Sequence, residues 1–191
     1  MTAITFDPEL GRRIALAYDA LPRDLDSMSG PKRRRAFDSW RAMAADEVRL
    51  FTQATRRYCI RPWLGAGQPY SSSGDMREDV RVRRHLFVFT GGDPHPVRSA
   101  DETYRGRAVH DIYAHALPGH SFSPDGELCA WLAQRELYCD EAQAALATDN
   151  LGPTAWYYFH PSNEGKPHAE RRWPEQKFGL LPRELWEPLI V

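Results

Sequence analysis

Cysteine is scarce. There are three, Cys59, Cys129 and Cys139, odd in number and without paired spacing. That excludes a disulfide-stapled framework. Cys129 and Cys139 lie too far apart for a zinc knuckle and no second pair exists, so thiolate metal chemistry is not implied. An excess of charge of one sign is also missing. The net charge is -1, so no global field draws the chain to nucleic acid or to an anionic membrane. The basic runs Lys32 to Arg35 and Arg81 to Arg84 have acids nearby and read as solvated faces. No apolar run approaches a membrane span. Residues 1–8 hold an acid and no basic stretch, which argues against a signal peptide and makes a cytoplasmic location the default expectation. Internal repeats and low-complexity tracts are absent.

What remains is an ordinary globular composition with aromatics and fixed turns: 42% hydrophobic residues, six tryptophans and fifteen prolines in 191 residues. Helical patterning dominates. Asp7 as N-cap and Pro8 at the first position predict a helix over 8–20. Pro31 opens a long one to about Tyr58, with Phe37, Trp40, Met43, Ala44, Val48, Phe51 and Ala54 at helical spacing. Residues 62–72 read as a Pro/Gly/Ser loop, and a short helix follows from Ser73 to about Val82. His85 to Phe89 is the strand candidate, closed by Gly91-Gly92. Helices are expected from about Asp101 to Leu117 and from Pro124 to Cys139, then two pieces over 140–149 and 153–160, interrupted at Gly152-Pro153. The expected fold is mainly α: a helical domain over 1–160 with one small β element, and a proline-punctuated C-terminal arm over 161–191 packed on it. Trp173 and Trp186 on that arm make packing against a partner subunit, a homo-oligomer, an open option.

The chemistry concentrates in Arg107-Ala108-Val109-His110-Asp111-Ile112-Tyr113-Ala114-His115-Ala116-Leu117-Pro118-Gly119-His120. Histidine is the commonest metal ligand and titrates near neutrality. His110 and His115 are five apart, so a regular helix would splay them by about 140°. A single π turn, which holds five residues, or an unwinding toward Pro118-Gly119 would bring them together. The zincin spacing, two histidines four apart with a glutamate beside the first, is absent, which disfavours a zincin-type peptidase. A third ligand must come from elsewhere, and Asp125, Glu127 and Asp149 are the candidates. Asp149 follows an alanine-rich helix, where an acid opposes the helix dipole, and it is the preferred one. Two histidines and a carboxylate with open positions suit iron(II), and zinc as the alternative. The expected ligands are therefore His110, His115 and Asp149. Asp111 is expected to orient a ligand or act in proton transfer, and Glu127 to serve as acid or base. Tyr113, Trp131, Trp156 and Tyr157 are candidates for lining an aromatic pocket.

His110-Asp111-Ile112-Tyr113-Ala114-His115 resembles the iron-binding signature of the pterin-dependent aromatic amino acid hydroxylases, with the same five-residue separation and Ala114 in place of a glycine. The resemblance covers these few positions and implies iron bound by His110 and His115, with Asp149 nearest to the third ligand. A broader likeness runs through Gln68 to Ser73, Asp75 to Val80, Asp93-Pro94-His95-Pro96, Arg107 to Asp111, Phe122, Gly126-Glu127, Ala130 and Thr148-Asp149-Asn150-Leu151-Gly152. This series, over roughly residues 68–160, resembles a family of uncharacterised phage and bacterial proteins with an Arg-Ala-Val-His-Asp-x-x-x-His motif. It implies one site built from His110, Asp111, His115, Glu127 and Asp149, and implies no activity. Three functions follow as expectations: an iron(II)-dependent hydroxylase-like enzyme on a small-molecule or nucleobase-type substrate, a zinc-dependent hydrolase with the same ligands, or a non-enzymatic phage-type accessory protein.

Overall fold

The protein is described by a computed structural model covering residues 4–68 and 70–190. Its frame is helical. Asp7 accepts the Leu10 N–H at 2.7 Å and Pro8 follows it, starting α1 (Pro8–Asp19) as the sequence predicts. The long α2 (Gly30–Thr52) buries Ala36, Ser39, Trp40, Met43, Glu47 and Leu50. That stripe is rotated from the expected one: Phe37 and Val48 are 45% and 48% exposed, and the acid Glu47 faces inward. The apolar pattern could not announce this, because Glu47 is kept inside by an arginine far along the chain.

α3 (Ser73–Glu78) precedes strand β2 (His85–Phe89), and α4 (Ala100–His110) follows it. β2 pairs in parallel with β1 (Arg61–Gly65), in the register Arg61↔His85 to Gly65↔Phe89. β1 lies where the sequence reads as a loop. It is short, carries Pro62 and Gly65, and leaves Trp63 and Leu64 59% exposed, so it shows no hydrophobic alternation. Next come α5 (Pro124–Arg135), α6 (Gln143–Leu146) and α7 (Gly152–Phe159). The expected break at Gly152-Pro153 does not occur. Pro153 sits in the first turn of α7, where its missing N–H costs nothing, and a π segment carries the chain into it.

Four described segments are π-helical: Gln53–Arg57, Asp79–Arg83, Asp111–Ala116 and Ala147–Leu151. Two of these carry candidate site residues. One core joins α1, α2, α5, α6 and α7. A second lies between the inner side chains of the sheet, Leu86 and Val88, and Met76, Ala108, Ile112 and Ala116. The C-terminal arm closes the first core. The Trp40 indole donates to the Phe178 carbonyl at 2.8 Å, and Phe178, Leu181, Leu185 and Trp186 are buried, the last two ending α8 (Arg183–Trp186). Trp186 is thus spent inside its own chain, whereas Trp173 is 60% exposed and stacks on Tyr157. Among the described residues, no helix is long and apolar enough to cross a membrane.

Candidate metal centre

α4 begins with a capping box, Ser99 and Glu102 reciprocally bonded, and runs as α-helix to His110. There the winding changes. Asp111–Ala116 is π-helical, and the wider turn puts His115 over His110 in spite of their five-residue separation. Their Nε2 atoms stand 3.0 Å apart and their rings meet edge to face at 4.8 Å. The third group arrives from α5. Ser123 caps it by accepting the Gly126 N–H, and Glu127 follows in the first turn. Glu127 Oε2 lies 3.4 Å from His115 Nε2 and 3.9 Å from His110 Nε2. Gly126 is required here: a Cβ would meet the Ser121 carbonyl oxygen at 2.3 Å, so the loop could not cross the helix and bring Phe122 to 5.0 Å from the His115 ring.

The opposite ring edges are already engaged. His115 Nδ1 is bonded to the His120 carbonyl at 3.2 Å. That carbonyl is held in place by a turn at Gly119, with φ at 94°, whose own carbonyl accepts from Arg77 at 2.8 Å. His110 Nδ1 is bonded to Gln134 Oε1 at 2.8 Å. The same oxygen accepts from Asn150 Nδ2 at 2.7 Å, and Gln134 Nε2 donates to the Tyr138 hydroxyl at 3.1 Å, so the amide's orientation is fixed from both ends. Both Nδ1 partners are carbonyl oxygens, so each Nδ1 carries a hydrogen and each neutral ring turns its Nε2 lone pair inward. Two lone pairs and a carboxylate oxygen therefore converge on one point. A triangle with these sides has its centre about 2.0 Å from each corner, which is the length of a metal–nitrogen or metal–oxygen bond.

The electrostatics ask for positive charge. Burial, then the neighbouring His115, hold His110 below the usual histidine range. Burial also pulls His115 down, but the hydrogen bond and charge of Glu127, with Asp111, more than reverse this and leave it raised, so a proton on its Nε2 and a metal ion would compete for the same place. The Asp111 side chain makes no hydrogen bond among the described residues. Burial and the Glu127 charge push its carboxyl up to about 7, against the pull of His115 and Arg107.

Asp149 does not join this group. Its Oδ2 accepts from Arg98 at 3.0 Å. Arg98 also holds Glu47 and the Glu102 carbonyl, with side-chain exposures of 5% for Arg98 and 3% for Glu47. Asp125, the remaining carboxylate weighed, accepts the Phe6 N–H. The structure thus brings His110, His115 and Glu127 together, places Asp111 beside them, and gives Asp149 to an arginine. The expected aromatic pocket is not assembled. Trp131 is core, Tyr113 donates to the Leu50 carbonyl and Trp156 to Asp19. Sequence reasoning missed Gln134, Asn150 and Arg77; their roles depend on partners 16 or more residues away, and no local motif signals them. No family model, curated protein or solved structure matches the chain.

Proposed function

We propose that this protein is a mononuclear metal enzyme in which His110 Nε2, His115 Nε2 and Glu127 Oε2 hold a divalent ion between them and leave its remaining positions open. The observation that carries this is the convergence of three acceptor atoms at 3.0 to 3.9 Å, with both Nδ1 hydrogens committed to carbonyls on the far side. Glu127 takes the role that the sequence reading gave to Asp149. Iron(II) is the favoured occupant, since two imidazoles and one carboxylate with open positions suit a non-haem ferrous centre. When bound, such an ion supplies dioxygen and one-electron chemistry. The chain's part is to orient: Gln134 and the His120 carbonyl fix the two tautomers, and Phe122 shields the His115 ring. Asp111 is the group for proton transfer, because its buried carboxyl lies beside His115 and Glu127 and its side chain is held by no hydrogen bond among the described residues.

The same donor set suits a second reading, zinc-assisted hydrolysis. There Asp111 would take the proton from the attacking water, since Glu127 is engaged with the two histidines.

Protein purified without chelator and loaded anaerobically with ferrous ion, or with zinc, is expected to hold about one ion per chain by elemental analysis. His110→Ala, His115→Ala and Glu127→Gln should fall to background, and Asp149→Asn should keep its metal. Full metal content in both histidine variants would overturn the proposal. Equal thermal midpoints for the wild type with and without chelator would instead favour a structural histidine cluster in an accessory protein. Ferrous-dependent oxygen uptake separates the first reading from the second, since zinc is redox-silent.

A further inference from the structure

The strongest feature outside the metal centre is the outer face of the two-stranded sheet. Two successive stretches of chain build it the same way. Each runs from a helix into a π segment, through a residue with positive φ, and into a strand. The first passes Gln53–Arg57 and Cys59 (φ 56°) to β1, and the second passes Asp79–Arg83 and Arg84 (φ 57°) to β2. The strands are parallel, so both begin at the same end. Basic residues gather there: Arg56 and Arg57 from the first π segment, Arg83 from the second, where it pairs with Glu78 and Asp79, and Arg84 just after it, joined by Arg61 at the start of β1, whose N–H bonds to the Arg84 carbonyl at 2.8 Å. All five are exposed. Residues 53–90 hold seven arginines against three acids, in a chain whose net charge is -1. The overall charge conceals this local excess.

The face itself is aromatic. Leu86 and Val88 point into the core, so the residues between them point out. Trp63 and Phe87 are register partners, 59% and 41% exposed. The His85 ring lies between them, 5.5 Å from Trp63 and 4.5 Å from Phe87. Tyr70 braces this row: its hydroxyl donates to Asp79, accepts the Phe87 N–H at 2.9 Å, and its ring meets Phe87 at 6.4 Å. His85 is pinned by Asp79 at 2.7 Å. Rings held in place and left in water contribute nothing to the core.

We infer that this face binds single-stranded DNA, with bases stacking on Trp63 and Phe87 and phosphates running along Arg57, Arg61 and Arg84. Exposed rings beside a basic rim match the two parts of such a strand, flat bases and regularly spaced negative charge. An acidic peptide would match the arginines and leave the rings unused. A duplex keeps its bases stacked inside and gives the rings nothing to meet. A protein that selects RNA contacts its 2′-hydroxyls, whereas stacking on Trp63 and Phe87 and charge pairing with the arginines need no such contact, so deoxyribose suffices.

The test is fluorescence anisotropy of a labelled oligo(dT) against the full chain, over a series of salt concentrations. Binding should weaken as salt rises. Trp63→Ala should cost about tenfold or more in affinity. Arg57→Ala combined with Arg84→Ala should flatten the logarithmic salt slope by about 1.4. Trp173→Ala removes an equally exposed tryptophan elsewhere and should change nothing. Thermal melts check that the variants fold, which the exposure of the substituted side chains favours. Equal affinity for duplex DNA or polyglutamate, a tenfold preference for oligo(U), or undiminished binding by folded Trp63→Ala would each overturn the inference.

Discussion

Two neighbouring clusters in the helical body gather acids and bases from distant parts of the chain, and they are completed in opposite ways. In one, Arg98 meets the carboxylates of Glu47 and Asp149 and the Glu102 carbonyl. In the other, the Nε2 atoms of His110 and His115 and a Glu127 carboxylate oxygen are turned toward one point. They adjoin through Gln134 and Tyr138. The Tyr138 hydroxyl accepts from the amide that holds His110, while burial, Glu47 and Asp149 raise its pKa. The comparison separates structure from function on chemical grounds. A buried acid with its counter-charge in hand is finished; two imidazole nitrogens and a carboxylate oxygen that converge on one point are a donor set that suits a cation. Asp149 belongs to the finished kind, although its place against the helix dipole had marked it as a ligand.

The largest expected effect breaks the closed cluster alone. Arg98→Met leaves the buried Glu47 carboxylate without the guanidinium that opposes the upward push of burial on its pKa. It also leaves Gly106 facing a space that Arg98 had filled, since a Cβ there would meet Arg98 Nη2 at 2.4 Å. Urea denaturation should show a loss of about 3–5 kcal/mol. Metal content of the folded fraction should be unchanged. Loss of metal at full stability would invert the comparison and make Arg98 part of the site.

A second test concerns how the closed cluster tolerates a proton. His95 is buried against Trp40, with ring centroids 4.5 Å apart, and its Nε2 has no hydrogen-bond partner among the described residues. Burial lowers its pKa from 6.5 to about 4, against the pull of Asp149. The folded value lies below the unfolded one, so the unfolded chain takes up the proton first as pH falls. Stability is therefore complete above about pH 6.5 and declines toward pH 4, by up to roughly 3 kcal/mol. His95→Asn keeps an acceptor for the Val97 N–H, which the imidazole Nδ1 accepts at 3.2 Å, and cannot titrate. Its stability should fall less steeply than that of the wild type across this window. Parallel pH profiles would sink the assignment.

The helical frame was legible from capping residues, prolines and periodicity, because each acts over one or two turns. β1 was not: a short edge strand defined by its parallel partner has no pattern of its own. The histidine pair was legible with its remedy, a π turn, because five residues per turn is the spacing that aligns it. The third group was not. Glu127 in the first turn of α5 is also where any helix welcomes an acid, so the dipole rule explained it away. The same rule made Asp149 look out of place, when Arg98, 51 residues earlier, had satisfied it. Pairings across such separations leave no local trace.

The finest division lies within the open site, between atoms that bind and atoms that hold. Gln134→Leu removes the acceptor for His110 Nδ1–H, frees that ring to change tautomer, and should weaken metal affinity about 10–100-fold. Gln134→Glu keeps an oxygen at that place and should retain most of the affinity, an outcome that simple loss of packing would not give. Asn150 acts one step further out. It donates to the same Gln134 oxygen and touches neither histidine through any described hydrogen bond. Asn150→Ala removes one neutral hydrogen bond, worth about 0.5–1.5 kcal/mol, and leaves the amide held by the Tyr138 hydroxyl. Metal affinity, read by competition with a chromophoric chelator, should then fall by at most about tenfold, the equivalent of 1.4 kcal/mol. A larger loss than that of Gln134→Leu would place Asn150 on the metal itself. No change at all would mean that the amide is oriented from the tyrosine side alone, and that the link between the two clusters does the holding.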